Sequence, residues 1–179
     1  MNLLIVIGSL RASSFSRKLA EAVTKRLPDG VQPTLIDGGD LPLYNQDLDG
    51  DEKPQSVQTL LEQVTNADAL LFVSPEFNYG IPGPLKNLID WASRPAYDSP
   101  LKQKPTFVMT HSIAPTGGAR AHLQLSTVLS GTLARLFVGP SFLAPAVHEK
   151  FDEQGEMTDE LMGIIIGTVM ADFVEWAKE

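Results

Sequence analysis

The chain has 179 residues, of which 43% are hydrophobic and 20% charged, which is the composition of one globular domain large enough to bury a core. Its formal net charge of -8 argues against binding to nucleic acid or to anionic membrane surfaces. The absence of cysteine excludes disulfides, thiol nucleophiles and Cys-ligated zinc, and it is compatible with a reducing compartment.

The first apolar run, LLIVI at residues 3 to 7, predicts a buried strand. It is too short for a signal peptide and no basic residue precedes it. No later stretch reaches the roughly 20 apolar residues that a membrane-spanning helix needs. We therefore expect a cytoplasmic protein without a membrane partner.

Short apolar runs then alternate with amphipathic segments, which is the pattern of repeated β-α-β units. Runs that are apolar at every position predict a parallel sheet with helices on both faces. The sequence therefore predicts a single α/β domain over residues 1–179, with a doubly wound five-stranded parallel sheet. The predicted strands are 3–7, 31–37, 69–73, 105–110 and one near 142–147, and the predicted helices are 14–27, 55–67, 84–93, 118–137 and 159–178.

The loop after the first strand, GSLRASSFS at residues 8–16, has the composition of an anion-binding loop. In a doubly wound sheet, ligands bind outside the carboxyl ends of the strands. Serine hydroxyls and the free N–H groups at a helix start can donate to an oxyanion, and Arg11 adds a charged donor. The loop matches neither the dinucleotide fingerprint nor the P-loop. The alternative, that the serines cap the helix and Arg11 is a solvated charge, stays open.

The loop after the third strand, SPEFNYGIPGPLKN at residues 74–87, places stiff backbone and exposed polar groups at the same edge. Phe77 and Tyr79 could flank a planar heterocycle, and Asn78 with backbone amides could pair with its polar atoms. The alternative is a turn whose aromatic side chains fill the core.

Together these loops resemble a known family. The patterns are Gly8-Ser9-Leu10-Arg11 with Ser14, and Pro75-Glu76-Phe77-Asn78 through Pro82-Gly83, Leu85-Lys86-Asn87, Ile89-Asp90-Trp91 and Ser93-Arg94. They are similar to the NAD(P)H-dependent FMN reductases of flavodoxin-like fold, a group that includes bacterial quinone, chromate and azo-dye reductases. The resemblance implies strand order 2-1-3-4-5, FMN as cofactor, and NADH or NADPH as electron donor.

The resemblance also implies which residues form the site. The FMN phosphate would be bound by Ser9, Arg11, Ser14 and Ser16. The ribityl chain and ring would be bordered by Pro75, Glu76, Phe77, Asn78, Tyr79 and Gly80, and the site would be closed by Ser112, Gly117 and Gly118. Glu76 is expected to orient its loop, and the helix that starts at Gly117-Gly118 is expected to stabilise negative charge on the reduced flavin.

Two function classes remain open at this stage. One is a reductase that passes electrons from NADH or NADPH to quinones, free flavin, chromate or dyes; the other is a flavodoxin-like carrier between protein partners. Arg94 and Tyr79 are the candidate contacts for the nucleotide or acceptor, with capping of a helix C-terminus as the alternative for Arg94. No catalytic side chain and no metal site are predicted, because the histidines show no metal or triad spacing.

The helix PLKNLIDWASR carries Leu88 and Trp91 on an apolar face. This face predicts a homodimer that completes the rim of the site, or a tetramer of two such dimers. In the alternative, Trp91 packs against its own sheet.

Overall fold

Strands and helices alternate along the chain as predicted, and the computed structural model describes all residues from 1 to 179. The elements are β1 (Asn2–Ile7), α1 (Phe15–Thr24), β2 (Gln32–Ile36), α2 (Gln55–Asn66), β3 (Ala69–Pro75), α3 (Gly83–Ala92), β4 (Pro105–His111), α4 (Ala119–Gly131), β5 (Arg135–Leu136), β6 (Phe142–Ala144) and α5 (Glu160–Ala177).

The strands form one parallel sheet in the order β2-β1-β3-β4-β5, with β6 also paired to β4. The predicted order 2-1-3-4-5 is therefore confirmed. Because every long strand is parallel, the carboxyl ends of β1, β3 and β4 lie side by side at one edge of the sheet, where the loops 8–14, 76–82 and 112–118 leave it.

Each face of the sheet is covered by its own hydrophobic core. Leu3, Ile5 and Ile7 of β1 point towards α1 and α5, whereas Leu4 and Val6 point towards α2, α3 and α4. All five side chains are buried. This two-sided burial is the reason that the strands have no polar alternation in the sequence.

The strand predicted near 142–147 is confirmed as β6, but the short strand β5 before it was not predicted. Helix α4 was expected to continue to residue 137, but it ends at Gly131, and Leu133 takes a left-handed conformation with φ of 63°. The following residues form β5 against the start of β4, and β6 pairs with its end. The reason is aromatic packing, since the Phe137 ring lies 5.4 Å from Phe107 and 5.7 Å from Phe173.

Helix α3 buries the side chains from which a dimer was inferred. Trp91 is 0% exposed and Leu88 is 1% exposed, and both belong to the core between α3 and the sheet. The Trp91 indole N–H donates to the carbonyl of Pro42 at 2.8 Å. The alternative for Trp91 is thus the correct one, and this helix face gives no support for a dimer. No helix of the structure combines the length and apolarity needed to cross a bilayer.

Candidate functional site

The loops at the carboxyl edge of the sheet are held together by hydrogen bonds between them. The Gly8 N–H donates to the carbonyl of Val73 at 2.8 Å, which joins the first loop to β3. The Glu76 N–H donates to the carbonyl of His111 at 3.2 Å, which joins the end of β3 to the end of β4. The sequence-predicted residues of all these loops therefore belong to one contiguous region.

The first loop presents a row of backbone donors without acceptors in the protein. None of the N–H groups from Ser9 to Ser13 makes a hydrogen bond within the chain, and neither do those of Phe15 and Ser16 in the first turn of α1. Arg11 is exposed and makes no ion pair. These free donors at a helix N-terminus, from Ser9 to Ser16 and here called the anion cradle, are the groups that an oxyanion site requires.

The serines of this loop take different roles. Ser14 is the N-cap of α1, and its hydroxyl oxygen accepts a hydrogen bond from the Arg17 N–H at 3.2 Å. Ser9 is buried, and its hydroxyl makes no hydrogen bond within the chain. Ser16 is 0% exposed, and its hydroxyl pairs with Nε2 of His111 at 2.8 Å. The Ser16 hydroxyl is therefore committed to the protein interior, which corrects the expectation that it faces a phosphate; only its N–H group remains free.

Glu76 joins the loop after β3 to the N-terminus of helix α4. Its carboxylate accepts hydrogen bonds from the N–H groups of Arg120 at 2.9 Å and Ala121 at 3.2 Å, and from the Arg120 guanidinium at 3.1 Å. Burial would raise the pKa of Glu76, but the hydrogen bonds from Ala121 and Arg120 outweigh it and hold the pKa below its ordinary value. Glu76 is thus an ionised anchor that orients its loop.

This anchor also bears on the expected role of α4. The N–H groups of its first turn were expected to stabilise negative charge on a reduced flavin. The Glu76 carboxylate already accepts hydrogen bonds from two of them, and it neutralises the positive end of the helix dipole. Two N–H groups in the first turn of α4 are therefore bonded to the protein itself, and stabilisation of the reduced flavin by this helix stays a prediction.

Residues 77 to 80 form a tight two-residue turn. Phe77 and Gly80 exchange backbone hydrogen bonds at 2.9 Å, and Asn78 and Tyr79 between them have φ of 47° and 66°. The N–H groups of Asn78 and Tyr79 make no hydrogen bond within the chain. Contrary to the alternative of core filling, Phe77 and Tyr79 are 53% and 74% exposed. The turn presents aromatic faces and free donors at the site edge.

Helix α4 holds this turn in place. The Arg120 guanidinium lies over the Tyr79 ring at 4.4 Å from its centroid. The Ile81 N–H donates to Oε1 of Gln124 at 2.7 Å. A Cβ on Gly80 would lie 2.7 Å from the same Gln124 oxygen, so a side chain at this position would displace Gln124 from its hydrogen bond. Pro75, the last residue of β3, is buried and pairs with His111 across the sheet.

The third loop turns back tightly into α4. Gly117 and Gly118 have φ of 61° and 85°, and a Cβ on Gly118 would lie 3.0 Å from the carbonyl oxygen of His111. The Ser112 hydroxyl oxygen accepts a hydrogen bond from the Ala114 N–H at 3.1 Å. The glycines are therefore buried parts of the turn, whereas Ser112 and the exposed Ile113 border the open side.

Three residues of this region were not predicted, namely His111, Arg120 and Gln124. The sequence contains a usable signal for Arg120 and Gln124, because they lie four residues apart on one face of α4. No pattern in the neighbouring sequence indicates a role for His111, because its partner Ser16 is 95 residues away. Its ring is 4% exposed, and burial lowers the pKa of His111 to about 4, so it is neutral near pH 7.

Arg94 does not join the other predicted residues. Helix α3 begins near the carboxyl end of β3 and runs antiparallel to the strands for 10 residues, or about 15 Å, so Arg94 follows its far end. There it borders a crevice together with Gly131 and Thr132, at the C-terminal end of α4. Its guanidinium lies over the Tyr44 ring at 4.9 Å and donates to no carbonyl of α3. Within one chain, Arg94 thus lies away from the other predicted site residues. It also does not cap the C-terminus of α3, which was the alternative role.

Comparison with known proteins agrees with this geometry. The family model for NADPH-dependent FMN reductase matches residues 1–149. A quinone reductase of Escherichia coli (strain K12) is 36% identical over 163 residues, covering 89% of this chain and 86% of that protein. The structure of FerB, a flavoenzyme NAD(P)H:(acceptor) oxidoreductase from Paracoccus denitrificans, is 32% identical with a TM-score of 0.88, covering 99% of this chain and 97% of that one.

A flavodoxin from the domain Archaea has a TM-score of 0.62 at 12% identity, with both chains covered to 100%, and this likeness shows the fold alone. The fold is therefore flavodoxin-like, as expected. The chain belongs to the NADPH-dependent FMN reductase family. It is an NAD(P)H-dependent oxidoreductase with FMN as its cofactor, which favours the enzyme over the electron carrier.

Proposed function

We propose that this enzyme passes electrons from NADH or NADPH through bound FMN to quinones, with free flavin, chromate and azo dyes as further acceptors, in the cytoplasm. The observation that carries the proposal is the row of unpaired N–H groups in the first loop, next to exposed Arg11 and beside an exposed aromatic turn. The quinone reductase of E. coli supports the choice of a quinone as acceptor.

The first loop fits the phosphate end of FMN. A phosphate dianion needs several donors that are not already bonded, and the N–H groups of Ser9 to Ser13, Phe15 and Ser16 meet this need. The Ser9 and Ser14 hydroxyls keep their protons available for donation, and Arg11 supplies a full positive charge. We propose that these groups bind the phosphate.

The turn from Phe77 to Gly80 fits the ring end. The free N–H groups of Asn78 and Tyr79 can donate to carbonyl oxygens and ring nitrogens of the isoalloxazine, and the Phe77 ring can pack against it. Tyr79 is the proposed contact for a planar acceptor, because its ring is exposed and held by Arg120. Ser112, Gly117 and Gly118 would close the opposite side.

The reaction then needs little from ionisable side chains. Bound FMN supplies the redox chemistry by taking electrons from the nicotinamide nucleotide and passing them to the acceptor. The chain orients the ring through the turn that Glu76 and Gln124 anchor. The exposed aromatic rim leaves room for donor and acceptor to bind in turn at the same face.

We also propose a homodimer, with a tetramer formed by pairing two dimers. The support is no longer Trp91 but the apolar side chains around the site, since Leu123 on α4 is 70% exposed and Ile113 in the third loop is 68% exposed. Exposed apolar side chains of this kind favour burial against a second copy. Light scattering at micromolar concentration tests this, and a monomeric mass would reject it.

The enzyme is tested by anaerobic mixing of the FMN-loaded protein with NADH or NADPH, followed by addition of a quinone. We expect rapid bleaching of the yellow colour by the nucleotide and its return on addition of the quinone. Colour that persists with both nucleotides would contradict the proposal. Riboflavin in place of FMN is the control for the phosphate site, and equal affinity for both flavins would refute that site.

A further inference from the structure

The ring of His111 makes a buried hydrogen bond between two loops of the proposed site. His111 is the last residue of β4, and its Nε2 lies 2.8 Å from the hydroxyl oxygen of Ser16 in the first turn of α1. The two residues are 95 positions apart in sequence, and they are 4% and 0% exposed. A hydrogen bond this well enclosed fixes the relative position of the elements it joins.

The backbone of His111 makes the remaining connections of this region. Its carbonyl oxygen accepts the hydrogen bond from the Glu76 N–H, and the residue pairs with Pro75 on β3 and with Ala144 on β6. Gly118 packs directly against its backbone. His111 therefore contacts the ends of β3 and β6 and the turn before α4, next to the ring end of the proposed FMN site.

The partner of its side chain lies at the other end of that site. Ser16 belongs to the first turn of α1, and its N–H is one of the unpaired donors of the anion cradle. A shift of this turn by a fraction of an ångström would misdirect those N–H groups, because hydrogen bonds weaken steeply with angle. The bond between His111 and Ser16 is thus a direct link between the cradle and β4.

We propose that His111 is a positioning residue, which holds the phosphate-binding turn of α1 in register with the ring-binding loops through its hydrogen bond to Ser16. This inference rests on the proposed FMN site and adds a residue that does not itself touch the cofactor. It predicts that loss of the bond weakens binding of the phosphate group more than binding of the flavin ring.

The test compares FMN with riboflavin on the apoprotein, by titration of flavin fluorescence, in Ser16→Ala, His111→Leu, His111→Gln and the double variant Ser16→Ala/His111→Leu. We expect Ser16→Ala and His111→Leu each to raise the Kd for FMN about tenfold and to leave the Kd for riboflavin within about twofold. His111→Gln keeps an amide nitrogen near the position of Nε2, and it should recover most of the FMN affinity. The double variant should bind FMN no more weakly than either single variant, because both remove the same bond.

Thermal stability cannot replace this readout, because any broken buried hydrogen bond lowers it. The double variant separates the loss of stability from the loss of positioning. Replacing both partners by apolar side chains removes the unsatisfied polar group and therefore restores stability. A positioning role predicts that its melting temperature recovers while its preference for FMN over riboflavin stays reduced. Ser99→Ala is the matched control, because Ser99 is a buried serine in the connection between α3 and β4. The Ser99→Ala protein should bind FMN with the affinity of the wild type.

Equal weakening of FMN and riboflavin in Ser16→Ala would overturn the inference, as would FMN affinity equal to that of the wild type. If His111→Leu does not fold, Ser16→Ala alone decides between these outcomes. Failure of the proposed site gives a different result, in which the wild type itself does not prefer FMN to riboflavin.

Discussion

At the scale of single residues, Arg11 is the clearest test of the anion cradle. It is exposed and has no ion-pair partner, so its charge is available to a ligand. We expect Arg11→Ala to weaken FMN binding by about 1.5–3 kcal/mol, the range of a charge-assisted hydrogen bond, and to leave riboflavin binding unchanged. Flavin fluorescence titration measures both. Arg94→Ala is the matched control, because Arg94 lies at the far end of α3, and an equal loss in that variant would contradict the assignment.

Glu76 gives a prediction about pH. Its pKa is lowered in the folded protein, so its carboxylate stabilises the fold fully above the unfolded value near 4.5, and this contribution is lost as the pH falls through the folded value. We expect Glu76→Gln to destabilise the protein by about 1–2 kcal/mol at pH 7, because a neutral amide oxygen accepts more weakly than a carboxylate. Urea unfolding at pH 7 and below pH 4 measures the difference, which should shrink at the acidic pH. A constant difference would show that charge plays no part.

At the scale of elements, helix α4 has a glycine near each end, and the two should respond oppositely to substitution. Gly118 has φ of 85° and packs against His111 and Thr110, so Gly118→Ala should cost at least about 2 kcal/mol in strain and contact. Gly131 is helical with open space around it, so Gly131→Ala should stabilise by about 0.5 kcal/mol. Thermal unfolding of the two variants checks this, and a stable Gly118→Ala protein would refute the tight turn.

At the scale of the whole molecule, charge should influence which acceptors react fastest. The formal net charge is -8, and the connection from β2 to α2 is strongly acidic, with Asp37, Asp40, Asp47, Asp49, Asp51 and Glu52. Its start lies close to the first loop, since even a Cβ added to Gly39 would reach within 3.5 Å of Leu10. The acidic field should therefore repel anionic acceptors as they approach the site.

We expect reoxidation of the reduced enzyme by chromate to accelerate about threefold or more as salt rises from roughly 10 to 150 mM, because the Debye length then falls from about 30 to 8 Å. Reoxidation by an uncharged benzoquinone is the internal control and should stay within about 1.5-fold over the same range. Stopped-flow absorbance gives both rate constants. A chromate rate that falls with salt would mean that local cations such as Arg11 dominate the field.

Much of the fold could be predicted because its signals are local. The apolar strands, the Ser14 N-cap and the Asp159 N-cap of α5 are each read from a few adjacent residues. The conformation of residues 132 to 137 depends on residues far away in sequence. Their apolar pattern predicts a helix, but packing of Phe137 against Phe107 and Phe173 draws the segment to the sheet edge.

For the site, the sequence by itself determined the family, the cofactor and the loops, because the motifs in residues 8–16 and 74–94 are contiguous runs of residues with specific chemistry. Only the tertiary structure decided what each side chain contacts. In the folded chain Trp91 is buried, and Arg94 lies at the far end of α3. Glu76 accepts hydrogen bonds from the N-terminus of α4, and Ser16 pairs with His111. The physical reason is that a motif specifies local backbone and composition, whereas a hydrogen bond between residues far apart in sequence exists only after the sheet has brought their strand ends together.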